Sequence, residues 1–142
     1  RVRRGALLPV ALDGAGKQEH WAEPAVVDAS GQGAPGELVH ILSPFDPLII
    51  QRKRSELIFG YSHKFEAYVP KPKRVFGYFA LPVLVDDEIV AALDLKTDRQ
   101  NKKLLMQKWS WVGKGAMRSL RKDFKRRIEE ELHRFERFQL AD

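Results

Sequence analysis

The strongest constraint on the fold sits at Ser43-Pro44-Phe45-Asp46-Pro47, where two prolines lie three residues apart. Each proline removes a backbone donor and fixes φ, so neither a helix nor a central strand can run through the motif. The short apolar run from Glu37 to Leu42 must therefore stop at Ser43. Asp46 suits a helix N-cap, with Pro47 at the tolerated first helical position. A helix is expected from Pro47 to about Phe59, with Leu48, Ile49, Leu57 and Ile58 buried. Arg52, Lys53 and Arg54 would lie across its more exposed side. Gly60 is the expected stop, because glycine accepts the left-handed conformation that ends many helices.

From Phe65 onward the hydrophobic period changes to two. Phe65 to Val69 is expected as a strand, Pro70 to Arg74 as a turn, and Val75 to Val85 as a second strand. Asp86-Asp87 turns the chain into Glu88 to Lys96, and Lys103 to Val112 forms the next strand. These runs are rich in β-branched and aromatic residues, which predicts an antiparallel β-meander or small barrel. Gly113 to Gly115 interrupt it, and a long helix of about 25 residues is expected to follow. Its Met117, Leu120, Phe124, Ile128, Leu132, Phe135 and Phe138 make one apolar stripe that reads as core. The fold class is α+β, with a short helix and a long C-terminal amphipathic helix. Ahead of the proline motif, Gly5 to Leu12 and Lys17 to Trp21 read as a hairpin around Asp13-Gly14-Ala15-Gly16. Residues 28–36 hold three glycines and a proline, and read as a linker dividing the chain into 1–36 and 37–142.

A length of 142 residues allows one domain to bury a core without metal or disulfides. The absence of cysteine excludes a disulfide scaffold, a thiolate metal site and a cysteine nucleophile. His20, His40, His63 and His133 are scattered with no metal-ligand spacing, so no metal site is expected. There is no P-loop and no Gly-x-Gly-x-x-Gly, and Ser43 lacks a Gly-x-Ser-x-Gly setting. Asp46 is explained by capping, while Asp94 and Asp98 alternate with Lys96 and read as salt-bridged structural carboxylates. No cofactor is expected. No apolar run approaches the roughly 18 residues of a membrane span, and the first residues, Arg1 to Arg4, lack the long apolar core of a signal peptide. A soluble, cytoplasmic protein that avoids membranes is the expectation. The chain starts on Arg1 and passes almost at once into a strand-like run, which suggests a piece of something longer.

The formal net charge is +6, from 25 basic and 19 acidic residues. Residues 1–36 and 37–70 are each balanced, whereas 71–103 carry seven basic against five acidic side chains and 104–142 ten against six. A basic excess confined to the second half suits a polyanion, most simply nucleic acid. A solvated basic surface is the plainer alternative. Lys71, Lys73 and Arg74 fall at the expected hairpin tip, where side chains reach furthest from a core and can meet a groove or phosphate backbone. Arg52, Lys53 and Arg54 form a second cluster. Arg118, Arg121, Lys122, Lys125, Arg126 and Arg127 form a third, against the macrodipole of the long helix, offset by pairs such as Arg126 with Glu130 and Arg127 with Glu131.

Many residues in register carry a resemblance. They are Ser43-Pro44-Phe45-Asp46, Arg52, Arg54, Phe59-Gly60, Glu66, Tyr68, Pro70, Lys73-Arg74, Gly77-Tyr78, Leu81-Pro82, Asp94, Lys96, Asp98 and Arg99. With them the chain resembles, from about Gly5 to Asp142, the winged-helix DNA glycosylases of interstrand-crosslink repair, the AlkZ/YcaQ-like family. The resemblance implies tandem winged-helix units followed by a β-rich C-terminal region, with this chain similar to that last part. Residues 1–36 would then be the end of a winged-helix unit and its linker. The family hydrolyses the N-glycosidic bond of alkylated or crosslinked bases through a Gln-x-Gln or similar pair in its N-terminal portion. No Gln-x-Gln occurs here, so no catalytic residue is assigned. Two positions depart from the family pattern: Ile50-Gln51 stand where Trp-Asp is usual, and Ala92 where Arg is frequent. The expected contacts to double-stranded DNA are Arg52, Arg54, Lys71, Lys73, Arg74, Lys96 and Arg99. The alternatives are a scaffold, in which Glu66, Asp94 and Asp98 tie down nearby arginines to support the missing winged-helix units, and a regulator of the same architecture without chemistry. An apolar surface where those units dock would let the isolated piece form a dimer.

Overall fold

The computed structural model describes residues 6–29 and 38–141, and the chain divides into two compact units, 1–35 and 36–142. The first contains a short hairpin, β1 (Leu8–Val10) and β2 (His20–Ala22), paired antiparallel with Pro9 opposite Trp21. A single helical stretch, α1 (Pro24–Ala29), follows it. The hairpin is the one expected from the sequence, over shorter strands. Most of the expected linker, from residue 30, lies outside the described residues.

The second unit is a four-stranded antiparallel sheet in the order β3-β4-β5-β6, formed by Val39–Ile41, Ala80–Val85, Glu88–Asp98 and Lys103–Trp111. This is the meander alternative, with successive strands as neighbours. β3 reaches β4 across the long excursion that holds the proline motif and helix α2 (Arg52–Phe59). The Asp86-Asp87 turn links β4 to β5 as expected. All of β4 and the first part of β5 are buried, with Val83, Val90, Ala91, Ala92 and Leu93 fully so.

Two apolar clusters flank the sheet. One joins Val39, Val83, Val85, Val90, Ala91 and Leu93 to Ile128 of the C-terminal helix α3 (Arg121–Gln139), with Trp109, Trp111, Phe124 and Leu132 at its margin. The other joins Leu84 and Ile89 to Leu42, Ile49 and Tyr61, with Phe59 and Phe76 beside them. Burial of each large aliphatic side chain contributes about 1.5–3 kcal/mol, so these clusters hold the unit together. The stripe on α3 is core as expected at Phe124, Ile128 and Leu132. Phe138 is exposed instead, and Met117 and Leu120 lie ahead of the helix. Arg127, on the same helix, clamps the Asp86 carboxylate through both terminal nitrogens at 2.7 and 3.0 Å. It does so in place of the expected pair with Glu131, which bonds Arg134.

Both helices start later than the sequence suggested. Asp46 caps only one turn: its Oδ1 accepts the Leu48 N–H at 2.9 Å and its carbonyl accepts those of Ile49 and Ile50. Regular helix begins at Arg52 and ends on Gly60, whose φ of 60° is the left-handed value that glycine takes without strain. Likewise Gly113–Ala116 form a 3-10 turn, and α3 opens only at Arg121.

The larger departure lies between Tyr61 and Phe79. No strand forms at Phe65 to Val69, and β4 begins at Ala80 rather than Val75. Lys71, Lys73 and Arg74 therefore do not sit on a hairpin tip. Lys71–Lys73 form a 3-10 turn after Pro70, within a loop held by side chains.

Candidate nucleic-acid interface

Two buried carboxylates organise that loop. Glu66, 3% exposed, accepts the backbone N–H groups of Val75 at 2.9 Å, Phe76 at 2.7 Å and Gly77 at 3.1 Å. Asp94 of β5, 8% exposed, accepts those of Tyr78 at 2.8 Å and Phe79 at 3.2 Å. Five consecutive amides thus bond to carboxylates instead of to a neighbouring strand, which is why β4 cannot start before Ala80. Hydrogen bonds to an ionised acceptor are stronger than neutral ones, so the loop is well fixed despite its irregular path. Burial would raise the Glu66 carboxyl, yet its three amide donors and the nearby Lys108 outweigh it and hold the group below the ordinary carboxylate range. The scaffold reading of these carboxylates needs one correction. They hold backbone, not arginines, and Asp98 bonds Asn101.

Gly77 makes the arrangement possible. It has a φ of 140°, and a Cβ on it would overlap the Asp94 side chain. Arg74 is fixed next: its Nε donates to the Val69 carbonyl at 2.7 Å, and its guanidinium lies 4.9 Å from the centre of the Tyr78 ring. Lys108 of β6 reaches back to the loop and donates to the Val75 carbonyl at 2.6 Å.

Between this loop and the outer part of the β5–β6 pair runs an open groove of about 620 Å³. It is lined by Lys71, Arg74, Tyr78, Lys96, Gln107 and Lys108, with Asp94 at its base. A bulge shapes it. Asp94 pairs with Lys108 while Leu95 pairs with Met106, which leaves Gln107 as the extra residue of β6. Neighbouring strand residues normally point to opposite faces, and the bulge lets Gln107 and Lys108 line the same groove. Four cations around one anchored carboxylate make an electropositive surface suited to phosphate.

Of the expected contact residues, Lys71, Arg74 and Lys96 meet in this groove. Lys73 is exposed on the same 3-10 turn but does not line it. Arg52 is exposed at the start of α2, and Arg54 turns back to donate to the Pro47 carbonyl. Arg99 follows β5 and lines a separate shallow depression of about 330 Å³ with Lys102 and Gln139. Lys108, Gln107 and Tyr78 were absent from the expected contacts. Lys108 belongs to no charge run, and only its pairing opposite Asp94 brings it to the site.

Other polar clusters are occupied internally. On α3, Arg126 bonds Asp123 and Glu130 at 3.2 and 2.9 Å, and Lys125 lies 3.7 Å from Glu129. Arg121 donates to the Gly115 and Ala116 carbonyls beside Trp111. Beneath α2, the Tyr61 hydroxyl and His63 Nδ1 share a 2.9 Å hydrogen bond, and the Ser55 hydroxyl donates to the Tyr61 carbonyl. Burial, then the Arg52 cation, push His63 below its usual range, against the opposing pull of Glu66. Among the described residues, no group of three or more His, Asp or Glu side chains could hold a metal ion, and no helix is long and apolar enough to cross a membrane.

No solved structure matches the chain. A family model described as DNA glycosylase AlkZ-like matches residues 1–138, nearly the whole sequence and the entire groove. The resemblance carried by the Ser-Pro-Phe-Asp motif and the residues after it is thereby established, and the chain belongs to the AlkZ-like DNA glycosylase family.

Proposed function

We propose that this chain is the C-terminal, DNA-engaging part of a DNA-repair glycosylase that hydrolyses the N-glycosidic bond of alkylated or crosslinked bases. The observation that carries the reading is the convergence of Lys71, Arg74, Lys96 and Lys108 on one groove. They come from three separate segments, the 71–74 loop, β5 and β6, and the fold spends a buried glutamate and aspartate on fixing the loop that brings them together. Base excision belongs to residues outside this chain, in the winged-helix part of the enzyme. Glu66 and Asp94, its buried carboxylates, are already committed to backbone amides and are poor candidates for acid–base work. The cytoplasm is the compartment this reading implies.

A scaffold role is the second reading, favoured by Arg54, Arg121 and Arg127, which serve internal acceptors. Titrating the chain with a labelled DNA duplex at several salt concentrations separates the two. With three or four phosphate contacts, log K should fall against log salt with a slope of about −3. Charge reversal of both Lys71 and Lys96, whose side chains make no hydrogen bond that holds the loop, should abolish most of that dependence with little change in melting temperature. Duplex binding that is unmeasurable at low salt, or unaffected by the reversal, would leave the scaffold reading.

A further inference from the structure

The groove contains one group that phosphate binding does not require. Tyr78 lines it with 55% of its surface exposed, between the Lys71 turn and the lysines of β5 and β6. Its backbone is pinned through the Asp94 carboxylate at 2.8 Å, and Gly77 before it offers no side chain. Arg74 sits over the ring and is itself pinned to the Val69 carbonyl. An aromatic ring so fixed loses little freedom when a partner stacks on it. In a duplex, however, base faces are already stacked on one another and would leave the ring unused. An unpaired base offers a free π-face, and a basic groove with a stacking aromatic is the arrangement by which proteins hold single strands. A volume of about 620 Å³ lies within the range that encloses small organic groups.

From this geometry we infer that the groove holds an unpaired nucleotide of single-stranded DNA, its base stacked on Tyr78 and its phosphates on Lys71, Lys96 and Lys108. The inference rests on the DNA-engaging reading and narrows it: this part of the enzyme grips opened or single-stranded DNA beside the point of repair. The groove is a holding site, since Asp94, its carboxylate, already accepts two amides.

Fluorescence anisotropy of the whole chain with three labelled probes of equal length tests it: oligo-dT, the same backbone built from abasic spacers, and a duplex. Base–aromatic stacking makes oligo-dT bind about 5- to 100-fold tighter than the abasic strand. Tyr78→Ala and Tyr78→Leu should bring that ratio close to one, the loss falling mainly on oligo-dT, and Tyr78→Phe should preserve it. Lys96→Glu should weaken all three probes. A wild-type ratio near one, or a ratio unchanged in both Tyr78→Ala and Tyr78→Leu, overturns the stacking site and leaves DNA engagement standing. Indifference of all three probes to Lys96→Glu overturns the DNA-engaging reading with it.

Discussion

Glu66→Gln is the sharpest test of how the groove is built. The carboxylate is buried and takes three backbone N–H groups, one on Oε1 and two on Oε2. A carboxamide keeps one acceptor oxygen and turns an NH₂ toward an amide that also donates. At least one buried N–H is then unpaired, which costs about 1–3 kcal/mol, and the loss of charge weakens the bonds that survive. The expected destabilisation is about 2–4 kcal/mol, a large share of the roughly 5–15 kcal/mol that stabilises a domain. Urea unfolding followed by the fluorescence of Trp109 and Trp111, both packed at the core margin, measures it. The pH dependence gives an independent check. The native Glu66 carboxyl titrates below its ordinary value of 4.5. Its contribution is therefore complete above that value and fades as pH falls through the lowered native one. Wild-type stability should drop across this acid window, and Glu66→Gln should lack that part of the drop. A destabilisation below about 1 kcal/mol, with parallel acid profiles, would refute the role of Glu66 as the anchor of residues 75–77.

Two further substitutions probe the same construction from other sides. Gly77→Ala places a Cβ against the Asp94 carboxylate at a φ of 140°, so it should cost about 2 kcal/mol or more in urea unfolding and weaken oligo-dT binding through the displaced Tyr78; a wild-type midpoint would show that the loop yields freely. Ile128→Ala, at a fully buried position joining α3 to the sheet, should cost about 2–5 kcal/mol with little change in the affinity of the folded protein for DNA. A loss of affinity in folded Ile128→Ala would tie α3 to the groove, contrary to the arrangement described.

What the sequence made legible, and what it hid, divides along a physical line. Elements whose bonds are local or periodic could be read directly: the stop at the proline motif, the Gly60 helix end, the Asp86-Asp87 turn, the β5–β6 pair and the Ile128 stripe. The loop from Tyr61 to Phe79 could not, because its order comes from side chains acting across long separations. Val75 to Phe79 have strand-like composition, and nothing local says that their amides will bond to Glu66, about ten residues before them, and Asp94, about sixteen after. Propensity weighs a residue against its neighbours; here two ionised acceptors outbid a ladder that local sequence favoured. The same cause explains the partial view of the site. Lys71, Arg74 and Lys96 could be found as charge clusters or by family likeness, whereas Lys108 and Gln107 become groove residues only through a bulge that breaks strand alternation. Charge runs were a poor guide in the other direction. In the densest run, around α3, Lys125 and Arg126 face acids of the helix, Arg127 is held by Asp86 and Arg121 by backbone carbonyls, and the groove draws its cations from separate segments. In this fold, the cations of the groove meet because buried carboxylates fix the backbone of the loop that faces β5 and β6, not because the sequence is most basic there.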